Sequence, residues 1–192
     1  MSSRTTRPLL LAALLGLAAA PAATQPADDC MMALSAIRQP VPKFEDFPAP
    51  AESPAKPAPV DVTSDAEAGR NRDQVVTDAA AGPDFAGHMT LIGWDCGSAC
   101  LDWGVADARS GRLAFDAEWR KVTAHHVADP ADGEAQPSFF NLRYRLDSRL
   151  LIVMGAAGDD PSRDGVAFLE WTGAGFRMVL FVSRRDVCDP SG

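Results

Sequence analysis

From His88 onward apolar and polar residues alternate with a period of two, and short β-rich runs recur with turn residues between them. In residues 88–95 this alternation puts His88, Thr90, Ile92 and Trp94 on one face and Met89, Leu91 and Gly93 on the other. Residues 101–107 bring Leu101, Trp103 and Val105 together, and Ser110-Gly111 turns the chain into a short run over 112–115. Residues 139–145 set Phe140, Leu142 and Tyr144 against Asn141, Arg143 and Arg145. The run over 150–155 has no polar face and reads as a central strand, covered on both sides. Residues 166–171 and 176–183, joined by Thr172-Gly173-Ala174-Gly175, form a last hairpin. Residues 116–138, with Pro130, Gly133 and Pro137, read as one long irregular loop.

Runs this close in sequence pair antiparallel, because parallel pairing needs crossovers of a dozen or more residues. The prediction is therefore a mainly β (α+β) fold. It is a single antiparallel β domain over 63–192, about 130 residues that bury well over half of their unfolded surface, with one N-terminal helix packed against it. That helix is placed at 65–80. Ser64-Asp65-Ala66-Glu67 has the form of a capping box, Gly82-Pro83 supplies the stop, and Ala66, Val75, Val76, Ala79 and Ala80 make a modest apolar stripe. Gly69 inside it costs about 1 kcal/mol relative to alanine.

Upstream the pattern changes twice. Arg4 and Arg7 precede an apolar run over 9–20 and the small-residue site Ala20-Pro21-Ala22, which predicts a signal peptide over 1–22. The run is shorter than the ~20 residues a spanning helix needs, so no membrane span is expected. Residues 23–62 read as a cysteine-containing segment, with one or two helical turns over 30–38, followed by a Pro/Ala-rich linker. Phe44 and Phe47 are the linker residues able to pack onto the domain.

Loss of Arg4 and Arg7 with the leader takes the formal charge from −8 to −10, with the acids scattered. Such a surface repels nucleic acid and anionic lipid. Cys30, Cys96, Cys100 and Cys188 in an exported chain predict two disulfides. Three pairings are open; Cys96–Cys100 with Cys30–Cys188 is preferred, because two cysteines flanking a three-residue hairpin loop already sit at bonding distance.

Gly82-Pro83-Asp84-Phe85-Ala86-Gly87-His88-Met89, then Trp94-Asp95-Cys96-Gly97-Ser98-Ala99-Cys100, resembles the G-P-N-F-A-G-H-Y and W-G-C-G-[ST]-x-C motifs of a family of exported bacterial proteins without an established activity. Val105-Ala106-Asp107-Ala108-Arg109-Ser110-Gly111 and Tyr144-Arg145-Leu146-Asp147-Ser148-Arg149-Leu150-Leu151 resemble its later motifs, I-D-x-x-T-G and Y-R-L-D-S-R-L-L. The chain departs from the family at Asp84, Met89 and Asp95, where Asn, Tyr and Gly stand. The resemblance spans roughly 64–181 and implies export and a β fold; it names no reaction.

No Gly-x-Ser-x-Gly elbow, Walker loop, dinucleotide-binding glycine pattern or His-Glu-x-x-His occurs, and no cofactor is implied. The leading reading is an exported, periplasmic or secreted, non-catalytic β protein that binds an envelope component, with an envelope protein as the expected partner and His88, Trp94 and Trp119 as contact residues. The rival is a small exported hydrolase with His88 as general base and Asp95 or Asp102 as its partner. Against it, a histidine after Phe-Ala-Gly more often fixes a turn, and no nucleophile accompanies it. His88 is expected in a structural cluster with Cys96 and Cys100 at one end of the first hairpin. Zinc held by Cys96, Cys100, His88 and His125 or His126 has the correct ligand number, but exported thiols oxidise. Asp160, Ser162 and Asp164 begin a calcium-loop pattern whose twelfth position is Trp171 instead of Glu.

Overall fold

The computed structural model describes residues 30–50, 56–128, 139, 141–158 and 160–188; the predicted signal peptide lies outside them. Eight strands form one antiparallel sheet: β1 (Met89–Gly97), β2 (Cys100–Asp107), β3 (Leu113–Ala114), β4 (Lys121–Thr123), β5 (Leu142–Tyr144), β6 (Leu150–Ala157), β7 (Asp164–Trp171) and β8 (Phe176–Ser183). The order is β1-β2-β4-β6-β7-β8, with β3 beside β2 and β5 beside β6. The mainly β, antiparallel prediction therefore holds.

The sheet consists of two meanders joined through β4. Val122 pairs with Leu101 of β2 on one side and with Ala157 of β6 on the other. This corrects the expectation of a structureless loop over 116–138. At the join, Gly155 has φ +129°, and a Cβ there would meet the Thr123 carbonyl oxygen at 2.5 Å. Only glycine lets β6 bend against β4 so closely.

The sheet curls, and strand alternation sends each strand's odd and even positions to different cores. Inside the curl, Leu91, Trp103, Val153, Leu169 and Trp171 pack together. Trp103 of β2 and Phe176 of β8 meet there, their ring centroids 5.3 Å apart, so the two ends of the sheet close over one interior. Outside it, Ile92 and Trp94 pack under the helices, and Ile152, Phe168 and Val182 pack under the N-terminal segment. Strand β6 is covered on both faces, as its unbroken apolar run requires.

The helical prediction resolves into α1 (Ala66–Arg70) and α2 (Arg72–Ala80), broken at Asn71, whose side chain donates to the Glu67 carbonyl. The expected capping box does not form. Asp65 is the cap: its Oδ1 accepts from the Glu67 and Ala68 N–H groups at 2.9 Å. Ser64 Oγ instead donates to the Asp61 carbonyl, and Glu67 pairs with Arg70. No helix among the described residues is long and apolar enough to cross a membrane.

Residues 30–50 form a strap over the outer face. Met32 is fully buried and bridges to Val127, Phe44 and Phe47 pack on the outer core, and the Arg149 N–H donates to the Phe47 carbonyl. The turns expected over 30–38 reduce to one 3₁₀ turn, Leu34–Ala36. A last helix, α3 (Arg184–Cys188), buries Val187 and carries Cys188 to Cys30, with their Cα atoms 6.0 Å apart.

The second disulfide, Cys96–Cys100, has Cα atoms 5.1 Å apart. Its setting differs from a simple facing pair. Gly97 pairs with Cys100 and Asp95 with Leu101, so Cys96 is the extra residue of a bulge. Replacing both cysteines by serine should lower stability by about 2 kcal/mol, the closure entropy of so short a loop. Urea unfolding of the two proteins measures the difference, and an unchanged midpoint would refute it.

Candidate functional site

Beside the disulfide-closed end of the β1–β2 hairpin lies a cavity of about 640 Å³. The break before α2 brings Asn71 to it, and the first turn of α2 brings Gln74. Gly93, Asp95, Cys100 and Leu101 come from the hairpin, and Phe139 and Asn141 from the approach to β5. Gly93 is required here. A Cβ on it would meet the Phe139 ring at 2.9 Å, so the missing side chain is what lets Phe139 lie over β1.

Asn141 is 0 % exposed, and among the described residues neither its Nδ2 nor its Oδ1 has a hydrogen-bond partner. Its backbone is held, the carbonyl accepting from the Met154 N–H at 2.9 Å. A carboxamide offers two donors and an acceptor with two lone pairs, so this cavity wall carries substantial unused hydrogen-bonding capacity. Asn71 and Gln74 donate to the Glu67 carbonyl and Asp78 Oδ1, which leaves their carbonyl oxygens as acceptors. Among the described residues of the lining the one charged side chain is Asp95, whose Oδ1 takes the Gly97 N–H at 2.7 Å.

The edge of β1 next to the cavity is closed to an added strand. Its outward N–H groups at Leu91 and Gly93 donate to Asp84 Oδ1 at 2.8 Å and Asp78 Oδ2 at 3.2 Å. Burial raises both carboxyls. Asp84 is pushed up to about 6 against the opposing pull of hydrogen bonds from Leu91 and Tyr144.

The Asp84 shift has a definite sign. The folded state holds the Asp84 proton more tightly than the unfolded chain, so its cost to stability is absent below the ordinary aspartate value of 3.8 and develops as pH rises through about 6. Asp84→Asn should therefore stabilise the protein at pH 7 by up to about 3 kcal/mol. Denaturant unfolding should show the gain shrinking to nothing near pH 3.5; a gain that persists there would sink the assignment.

The structure separates most of the residues singled out by sequence. His88 lies at the opposite end of the β1–β2 ladder from Asp95, Asp102, Cys96 and Cys100, about 20 Å away at ~3.3 Å per residue. The His88–cysteine cluster is thus not formed, and neither proposed carboxylate partner reaches the imidazole. Instead His88 Nε2 sits 2.6 Å from Arg109 Nη2. Asp102 is buried against Arg120. The zinc set is not assembled, since its cysteines are bonded to each other.

Among the described residues no three His, Cys, Asp or Glu side chains converge. Asp160 caps Ser162 and faces Arg163, while Asp164 faces Arg184, so the calcium-loop residues are occupied with one another and with arginines. Trp119 is buried in the interior core against Phe181 and offers no contact surface. Trp94 does reach the cavity, though its ring packs edge-on to Phe115.

Asn71, Gln74, Phe139 and Asn141 carried no signal in the sequence. Asn141 occupies a polar slot of an alternating strand, where an outward-facing residue is the ordinary reading, and only the fold shows that this slot is enclosed. Searches of protein-family models, curated proteins and solved structures find no match to this chain.

Proposed function

We propose that this chain is an exported, non-catalytic β protein, periplasmic or secreted, that binds an envelope component through the cavity beside the β1–β2 hairpin. The observation that carries the reading is Asn141, fully buried in the wall of the cavity with both amide atoms unpartnered among the described residues. Burying such groups unmatched costs roughly 1–3 kcal/mol each, a cost proteins retain where a ligand repays it. The amides of Asn71, Gln74 and Asn141, beside the apolar Phe139 and Leu101 and with no cation among the described lining residues, suit a neutral group that both donates and accepts hydrogen bonds. Two disulfides favour an oxidising compartment. Among the described residues no nucleophile with a positioned base lines this cavity, which is why binding is preferred to hydrolysis.

Asn141→Leu separates the binding role from a structural one. Replacing an unmatched amide by an apolar group of the same branched shape should raise stability by about 1–2 kcal/mol and abolish capture of the ligand. Envelope extract passed over immobilised wild-type and variant protein, with mass spectrometry of what each retains, reads the second effect. Ligands held equally by both proteins would overturn the proposal, as would a variant that is less stable than the wild type.

A further inference from the structure

We infer a second binding site, for a small carboxylate with an apolar tail, in the pocket at the His88 end of β1. It is independent of the cavity containing Asn141, which lies at the other end of that strand.

The pocket encloses about 280 Å³ between the start of β1, the β2–β3 turn and the β7–β8 hairpin. Its polar side chains are His88, Asp107, Arg109 and Arg112; Met89, Leu113 and Trp171 supply apolar walls. Each acceptor atom in this set already has a donor. Asp107 Oδ1 takes the Arg109 N–H at 2.9 Å, its Oδ2 takes the Ser110 hydroxyl at 2.8 Å, and His88 Nε2 faces Arg109 Nη2. Two donors remain. The Arg112 guanidinium makes no ion pair or hydrogen bond among the described residues, and Trp171, 5 % exposed, has an indole Nε1–H without an acceptor.

A free guanidinium and a buried N–H, beside an aspartate whose two oxygens each already take a donor, favour a ligand that accepts, and the excess of arginine favours an anion. Two arginines against one aspartate leave the pocket positive in a chain whose net charge is −8. The apolar walls then distinguish the anion. Inorganic phosphate would leave them uncovered, whereas a carboxylate on a short hydrocarbon tail satisfies Arg112 and Trp171 with its head and the walls with its tail.

The test titrates the full mature protein with hexanoate, hexanamide and inorganic phosphate, following the Trp171 indole N–H resonance, assigned by its loss in Trp171→Phe. Hexanoate is expected to saturate the shift. Hexanamide, and hexanoate on Arg112→Gln, are expected to bind about tenfold more weakly, the loss of one charge-assisted contact. Arg112 is exposed, so its substitution leaves the fold intact, which the unchanged remainder of the spectrum verifies. Absence of saturable hexanoate binding, equal affinity for the amide, or no effect of Arg112→Gln overturns the site. Phosphate binding as tightly as hexanoate overturns the assignment of an apolar tail.

Discussion

Arg120→Ala should destabilise this protein by about 3–5 kcal/mol, the cost of leaving a buried carboxylate without its cation. Arg120 holds two acids at once. Its Nε donates to Asp102 Oδ1 at 2.6 Å, and its Nη1 and Nη2 donate to the two oxygens of Asp65 at 2.7 and 2.9 Å. The guanidinium also lies over the Phe115 ring, 4.0 Å from its centroid.

Asp65 caps α1 and Asp102 belongs to β2, so one side chain on the approach to β4 ties the helices to the sheet. The two acids respond in opposite directions. The hydrogen bond from Arg120 lowers Asp65 to about 2, whereas burial raises Asp102 despite the same arginine. The side chain of Asp102 is 1 % exposed, and among the described residues its other oxygen has only Lys121 Nζ at 3.9 Å.

Without Arg120, Asp102 would take up a proton more readily still, so the penalty of the substitution should be smaller at pH 4 than at pH 7. Asp65 works the other way: its contribution is complete above the ordinary aspartate range and fades only as pH falls toward 2. Urea unfolding at the two pH values measures both effects. A loss under 1 kcal/mol at pH 7 would show that the network is not a structural tie. Arg120→Met combined with Asp102→Leu, which removes both charges, should recover most of the stability.

Replacing Cys30 and Cys188 by serine should cost about 5 kcal/mol, because that bond closes nearly the whole chain whereas Cys96–Cys100 closes five residues. The figure matches the entire stability of many domains, so guanidinium unfolding should find the variant at the margin of folding. The order of events is testable as well. With the bond absent, the Met32 and Arg149 amides, which bond across the strap to His126 and Phe47, should exchange with solvent before the amides of β7. Synchronous exchange would mean that strap and sheet form one cooperative unit. A change below 1 kcal/mol would rule out the disulfide as a main support.

The long strands were readable because alternation, hairpin turns and strand length all agree in them. Strand β8 has the predicted bounds, and β1 and β2 shift by a residue or two. Strand β4 was invisible for a physical reason. Lys121-Val122-Thr123 has one apolar residue and no period, and it is a strand only because β2 and β6 present their edges to it. Helix α3 is similar, a five-residue turn held by a disulfide and one buried valine.

At the site, sequence reasoning favoured residues with distinctive chemistry. His88 is distinctive as a side chain that can act as base or ligand, yet the larger of the two cavities is lined by amides whose significance depends on enclosure. Enclosure is a property of the tertiary fold, set by Phe139 lying over Gly93, and local pattern does not encode it.

The position of the Cys30–Cys188 bond also determines how the molecule would carry a mechanical load. Tension applied between the segments before Cys30 and after Cys188 passes directly through the sulfur–sulfur bond, because the 158-residue span between them is a closed covalent ring. The hydrogen-bonded ladders lie outside that line of force, so pulling would load a covalent bond and leave β1 through β8 slack. In the reduced protein the same pull would first peel the strap and α3 from the outer face and then unzip β8 from β7.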